Sequence, residues 1–274
     1  MNQLVAQLLR VALLSCISAT AMAQQCKFSS DRAANFTGTI NKVVISAGPG
    51  SLKVTGVANG VSAKGLACAS TEALLGSITL ESRREGDIVY LTMAVGGGGM
   101  FSFNRYATLD LEITVPKTAQ LNVTDTTGDI ELSEVGATVI ADDSGDQLLK
   151  NVNGDLDITA DAGEIRVISV TGNVKLKDGS GGIDIEDVRG NVTITSDTSG
   201  DLSVAKVTGA VEILEDGAGD ITVREVGGNV LVAKDGSGNI NVTEVQGKFS
   251  VNSDSSGEIL HSRVRGSVRI PAKT

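Results

Sequence analysis

The chain has 274 residues, of which 33 are acidic and 23 basic, giving a net charge of -10 and an isoelectric point near 4.7. A surface this acidic, with no run of clustered Lys and Arg, argues against nucleic acid as a partner, because binding the phosphate backbone needs such clusters. Aromatic residues make up 3% of the chain and tryptophan is absent, while glycine occurs 33 times.

In chain order, Arg10 sits in an otherwise apolar run from Leu4 to Leu14, followed by Ala21-Met22-Ala23. This pattern predicts a secretory signal peptide over residues 1–23, too short and too closely followed by a cleavage site to be a membrane span. Leu13-Leu14-Ser15-Cys16 is the rival signal, a lipoprotein acceptor cysteine. No other segment is apolar enough to cross a membrane. Cleavage after Ala23 leaves Cys26 and Cys68, and an even count in an exported chain predicts a bridge between them. The alternative is two free thiols.

Residues 24–127 read as an irregular N-terminal β cap. Gly50, Leu52, Val54 and Val57 form a degenerate copy of a unit that recurs later. Ser77–Leu80 and Asp87–Val95 predict an antiparallel hairpin about the polar turn 82–86. Gly96 to Gly99 lack the strand-to-helix context of a phosphate loop and read as a connector. The alternating Leu109, Leu111, Ile113 and Val115 predict a strand stopped by Pro116, and Leu121 and Val123 start the regular pattern. The cap is expected to lead continuously into the regular repeats.

From Gly128 the chain repeats one unit eight times at a spacing of 17 to 19 residues, with glycines at 128, 145, 163, 181, 200, 219, 238 and 257 and a second set at 136, 154, 172, 190, 209, 228, 247 and 266. A period this short means a stack of small units. Each unit has two segments of alternating apolar residues, the signature of strands. Ile221 and Val223 form one such pair, Val230 and Val232 the next, with Val226 between them. Across eight copies all inward positions except Thr138, Gln147 and His261 are Val, Ile, Leu or Phe. Turns too short for a helix leave parallel pairing between successive copies. Residues 128–274 are therefore predicted to form an all-β, two-faced parallel β-solenoid of eight rungs, mostly of 18–19 residues, its two sheets about 10 Å apart across an aliphatic interior. His261 takes the slot that Val242 fills one rung earlier and reads as a half-exposed core residue. The last rung carries Arg263, Arg265, Arg269, Pro271 and Lys273, which discourage pairing at an open strand edge, although basic residues at one end of an acidic rod also allow self-association.

Ser199-Gly200-Asp201-Leu202 and Val207-Thr208-Gly209-Ala210-Val211, with the preceding Ile113-Thr114-Val115-Pro116-Lys117, resemble the bacterial β-strand-repeat family labelled "putative adhesin", a domain of unknown function. The likeness covers roughly residues 40 to 270. It implies a right-handed, exported, non-catalytic β-solenoid with a role at the cell surface, and it supplies no catalytic motif.

Residues 128–262 hold 25 acids against 9 bases. Three residues before the rung glycine stand Asp125, Asp142, Asp178, Asp197, Asp216, Asp235 and Asp254; immediately after it stand Asp129, Asp146, Glu164, Asp201, Asp220 and Glu258. Asp at the first and Gly at the fourth position is a type I β-turn pattern, with the carboxylate accepting backbone N–H bonds. Stacked about 5 Å apart, such carboxylates repel by about 0.9 kcal/mol per pair in water. A second reading is thus a weak Ca²⁺-binding edge through Asp178, Asp197, Asp201, Asp216, Asp220 and Asp235, the whole column facing outward. No cofactor and no catalytic residue is otherwise expected. A polysaccharide-active enzyme is the remote alternative, since carboxylates near 5 Å suit retaining glycosidases; from Gly128 onward, short turns with no wall for a cleft, and no aromatic ring outside the core slot of Phe249, argue against it. The sequence thus points to a scaffold for an unidentified cell-envelope or surface partner, or to a self-assembling structural element.

Overall fold

The computed structural model describes residues 26–95 and 105–272. The leader with Cys16, the run Gly96–Gly99 and Lys273 lie outside them. The chain is built almost wholly from strands. The cap and first rung comprise β1 (Phe28–Phe36), β2 (Lys42–Ser46), β3 (Leu52–Val57), β4 (Val61–Ala69), α1 (Glu72–Ser77), β5 (Ile78–Glu85), β6 (Ile88–Val95), β7 (Ala107–Pro116), β8 (Gln120–Asp125) and β9 (Ile130–Ser133). The one short helix among the described residues, α1, is not apparent in the residue pattern; Thr71 caps it by accepting from the backbone N–H of Leu74.

Beyond β9 the rungs stack like over like. In one sheet Ile183 pairs in parallel with Leu202, Leu202 with Ile221, Ile221 with Ile240 and Ile240 with Ile259. In the other, Val192 pairs with Val211, Val211 with Val230 and Val230 with Phe249. Register is fixed because a one-residue slip would turn every Val and Ile of a strand toward water. The β-solenoid predicted by the repeat is therefore the fold, with one continuous core from Ala34 to Val251.

The inward series 221, 223, 226 breaks the two-residue period, and the backbone shows how. Glu225 has φ 58°, as do its equivalents Glu134, Asn151, Ser169, Asp187, Lys206, Glu244 and Arg263 at 53 to 62°. One left-handed residue per rung bends the strand so that the next valine again points inward, at a cost of about 1–2 kcal/mol for a side chain held there. At the other corner each rung glycine has φ between 121 and 141°. A Cβ on Gly219 would lie 1.8 Å from the carbonyl oxygen of Gly200, so only glycine lets successive corners stack.

The cap shares its core with the regular rungs, but its strands do not stack in chain order. In the first sheet β3 lies between β7 and β9, both parallel to it. In the second, β2 lies between β6 and β8. The rung formed by β2 and β3 is thus clasped between one that follows it by 46 to 59 residues and one that follows it by 78, and the chain steps over it. The end of the stack is closed by antiparallel strands: β4 pairs with β7 and with β1, and β5 pairs with β6. The hairpin turn is tighter than expected. Pairing continues to Glu85 opposite Ile88, so Gly86 and Asp87 make the turn. Cys26 and Cys68 form a disulfide. It ties the segment two residues before β1 to β4. The opposite end is open: Val268 and Ile270 are exposed, and so is His261, beside Phe249, rather than half-buried.

Candidate functional site

The acidic corner is the densest concentration of ionisable groups, and the structure divides it in two. The expected single outward column does not exist. Asp178, Asp197, Asp216 and Asp235 are 0–1% exposed, and Asp125 and Asp142 are nearly as buried. Asp201 and Asp220, with Asp129, Asp146, Glu164 and Glu258, are exposed.

The outer acids act as a ladder between rungs. The backbone N–H of Asp220 donates to Oδ1 of Asp201 at 3.0 Å, and that of Asn239 to Oδ1 of Asp220 at 2.8 Å. The same bond joins Asp146 to Asp129 and Glu164 to Asp146. A short side chain at the corner accepts the N–H that the next rung cannot place in either sheet. An amide serves equally: Asn239 accepts from Glu258, and at the second glycine Asn173 and Asn191 extend a parallel ladder from Asp155. Asp201 and Asp220 are thus committed to the stack.

The inner acids are placed by the glycine three residues on, which turns the chain so that the preceding side chain enters the corner of the core. Backbone bridges join Asp197 to Asp216, Asp216 to Asp235 and Asp235 to Asp254, all parallel. The turn pattern read from the sequence holds only in part. The carboxylates of Asp142, Asp197 and Asp254 each accept a backbone N–H two residues on, whereas both carboxylate oxygens of Asp178, Asp216 and Asp235 are buried without a hydrogen-bond partner. Burial pushes Asp178 and Asp197 up to about 6, the neighbouring carboxylate of Asp197 adding to the effect at Asp178. Asp216 is also raised, by burial first and then by Asp235 and Asp197, and Asp235 is raised by burial first and then by Asp254, against a lowering effect of the Asp216 carboxyl. Asp125 is pushed up to about 6 by burial and by Asp142. Asp142 is raised less freely, since Gln147 donates to its Oδ2 at 3.0 Å. Gln147, which stands out in the sequence as a polar residue in a core slot, is there as the partner of this acid.

The column is interrupted at Ala160, which occupies the same slot in the third rung and is buried. Asp125 and Asp142 therefore form one short file and Asp178 to Asp254 another. The carboxyls are stacked one per rung rather than converged, and among the described residues no group of three or more His, Cys, Asp or Glu is placed to hold a metal ion. The structure brings Asp178, Asp197, Asp216 and Asp235 together and sets Asp201 and Asp220 apart from them.

Elsewhere the described surface offers shallow grooves. One lies on the second sheet near Asn122, Val139, Asp157 and Lys175, where the strand register slips between Gly136 and Thr138. Charged side chains on the outer faces pair across rungs, as Lys206 with Glu186 at 2.7 Å and Lys234 with Glu215 at 2.6 Å. Among the described residues no helix is long and apolar enough to cross a membrane.

The sequence profile of the Toastrack DUF4097 family matches residues 42–273. No curated protein matches the chain. Solved structures are similar to it, among them these three. A putative lipid binding protein from Parabacteroides distasonis ATCC 8503 is 13% identical, the match covering 89% of this chain and 97% of that one, with a TM-score of 0.43. A putative adhesin from Parabacteroides merdae ATCC 43184 is 11% identical over 89% and 96% of the two chains, with a TM-score of 0.38. A putative adhesin from Bacteroides fragilis NCTC 9343 is 16% identical over 89% and 98%, with a TM-score of 0.32.

Proposed function

The chain belongs to the Toastrack DUF4097 family, and from that premise we propose that it is an extracytoplasmic, non-catalytic scaffold, adhesin-like in that it offers its two outer sheet faces to a cell-envelope or surface partner. The observation that carries this reading is the unbroken stack from Ile130 to Val251: a continuous aliphatic interior and corners tied rung to rung leave rigid, polar faces as the chain's main contact surface. Support for a place outside the cytoplasm comes from the Cys26–Cys68 disulfide, since such bridges persist in oxidising compartments, and from the leader-like residues 1–23. A rigid stack presents an extended surface without ordering cost at the moment of binding, which favours affinity from many weak contacts.

On this reading no cofactor is required. Catalysis is disfavoured because Asp129, Asp146, Asp201 and Asp220 at the corner already accept backbone N–H bonds, and the inner acids have no access to a substrate. A self-assembling element is the second reading, favoured by the open, basic C-terminal rung with Arg265 and Arg269 exposed on an acidic rod; size that grows with concentration in light scattering would select it. The location is tested by quenching cells in acid, blocking free thiols and weighing the intact chain. A chain that starts near Gln24 with its bridge intact is expected. Two alkylated thiols on a chain that retains residues 1–23 would overturn it.

A further inference from the structure

Three observations at the inner acid column belong together. First, the four aspartates at 178, 197, 216 and 235 follow one another on successive rungs, spaced by the sheet repeat of about 4.8 Å, with parallel bridges joining the last three. Second, they are sealed from water, and both carboxyl oxygens of Asp178, Asp216 and Asp235, with Oδ2 of Asp197, lack any partner. Third, the charges that act on them are those of other acids, Asp197 and Asp161 on Asp178, and Asp254 and Asp220 on Asp235. The nearest cations along the strand, Lys177 and Lys234, are exposed, and Lys234 is engaged by Glu215. A file of buried anions with no counter-charge is untenable, because each ionised carboxyl out of water needs a compensating charge or bond. Something must supply positive charge or hydrogen. The carboxyls do not converge on a common point, which removes the several oxygen ligands a divalent cation requires. A proton needs only one donor and one acceptor.

We propose that Asp178, Asp197, Asp216 and Asp235 form a proton-binding spine: in the folded stack the carboxyls are neutral, and the O–H of one donates to a carboxyl oxygen of the adjacent rung. Each rung taken into the stack then takes up protons from solvent. The raised proton affinity that burial imposes on these acids agrees with this. The sign follows from linkage: acids held more strongly protonated in the folded than in the unfolded chain contribute stability that for Asp178 and Asp197 is fully present below about pH 3.8 and is lost as pH rises through about 6, and the shifts of Asp216 and Asp235 have the same sign. The C-terminal half of the solenoid should therefore tighten on mild acidification, the reverse of the response of an ordinary salt-bridged carboxylate.

The test compares the wild-type mature chain with an Asp197→Asn, Asp216→Asn, Asp235→Asn variant in thermal melts at pH 5 and pH 8. The amide can donate and accept along the column as a neutral acid would. The melting temperature of the wild type should rise between pH 8 and pH 5 by several degrees more than that of the variant, and the variant should melt higher than the wild type at pH 8. Millimolar CaCl₂ at pH 8 should leave both unchanged. Equal pH responses would overturn the proposal, and so would a calcium-induced rise confined to the wild type, which would make the column a cation site. Should the variant fail to fold, infrared spectra of the wild type at pH 5.5, where free carboxyls are largely ionised, decide: a carboxylic-acid C=O band that vanishes on unfolding is expected, and its absence overturns the spine.

Discussion

Replacing Gly219 with alanine tests the stacking geometry at its tightest point. The new Cβ would meet the Gly200 carbonyl oxygen at 1.8 Å and its carbon at 2.5 Å. Relief requires a movement of more than 1 Å within a rung spacing of about 4.8 Å, and the bonds from Gly219 N–H to Ser237 and from Gly200 N–H to Ala218, at 2.9 and 2.8 Å, bear it directly. The φ of 141° adds strain, since that region is almost closed to residues with a Cβ. Strain of about 1–3 kcal/mol and overpacking of about 1–3 kcal/mol together predict a loss of about 2–6 kcal/mol, or roughly 5–20 °C in melting temperature for a chain of this size. Gly182→Ala is the matched control. Its Cβ would find only the Asp201 carbonyl oxygen, at 3.9 Å, and Asp201 and Asp220 already occupy the equivalent slot in later rungs. Calorimetry of the two variants beside wild type is the assay. Melting temperatures within 2 °C of one another would refute the claim that the glycine column is imposed by carbonyl contact between rungs.

Val223→Asp places a charge at a position with 0% exposure; it should cost several kcal/mol and unfold neighbouring rungs together, whereas Thr193→Ser on the outer face should be silent, and coincident melts would show the inward assignment to be wrong. Glu225→Gly removes a side chain from a left-handed backbone position at the loss of only an exposed pair with Arg224. It should stabilise by about 0.5–1 kcal/mol, read as a higher denaturant midpoint, and a lower midpoint would mean that this corner needs the carboxylate.

The regular rungs were legible because each inward position is written many times: an alternation such as Ile221 and Val223 means little once and much when Ile240 and Val242 repeat it. The same repetition hid the inner acids. An Asp three residues before a glycine has the same letters whether its carboxyl caps a turn in water or enters the core, and the difference is set by the glycine's φ, which the letter does not carry. The nearby signals were the polar Gln147 in a core slot and the small Ala160 in the acid column, both unusual only once that column is known to be inside. In the cap, the insertion of β2 and β3 between strands far along the chain depends on non-local pairing, to which local alternation is blind. The irregular spacing of Val226 after Val223 did carry information: an inward residue three positions on requires one residue of different backbone handedness.

The most direct test of the scaffold reading is site-specific photo-cross-linking in cells, with the photoreactive side chain at Thr193 on one outer face and at Thr222 on the other, and with buried Val223 as the negative control. Reproducible cross-links from at least one outer face to a single envelope component, with none from Val223, are predicted. Cells in which both faces stay free of any partner, with the chain inside the cytoplasmic membrane, would contradict the account.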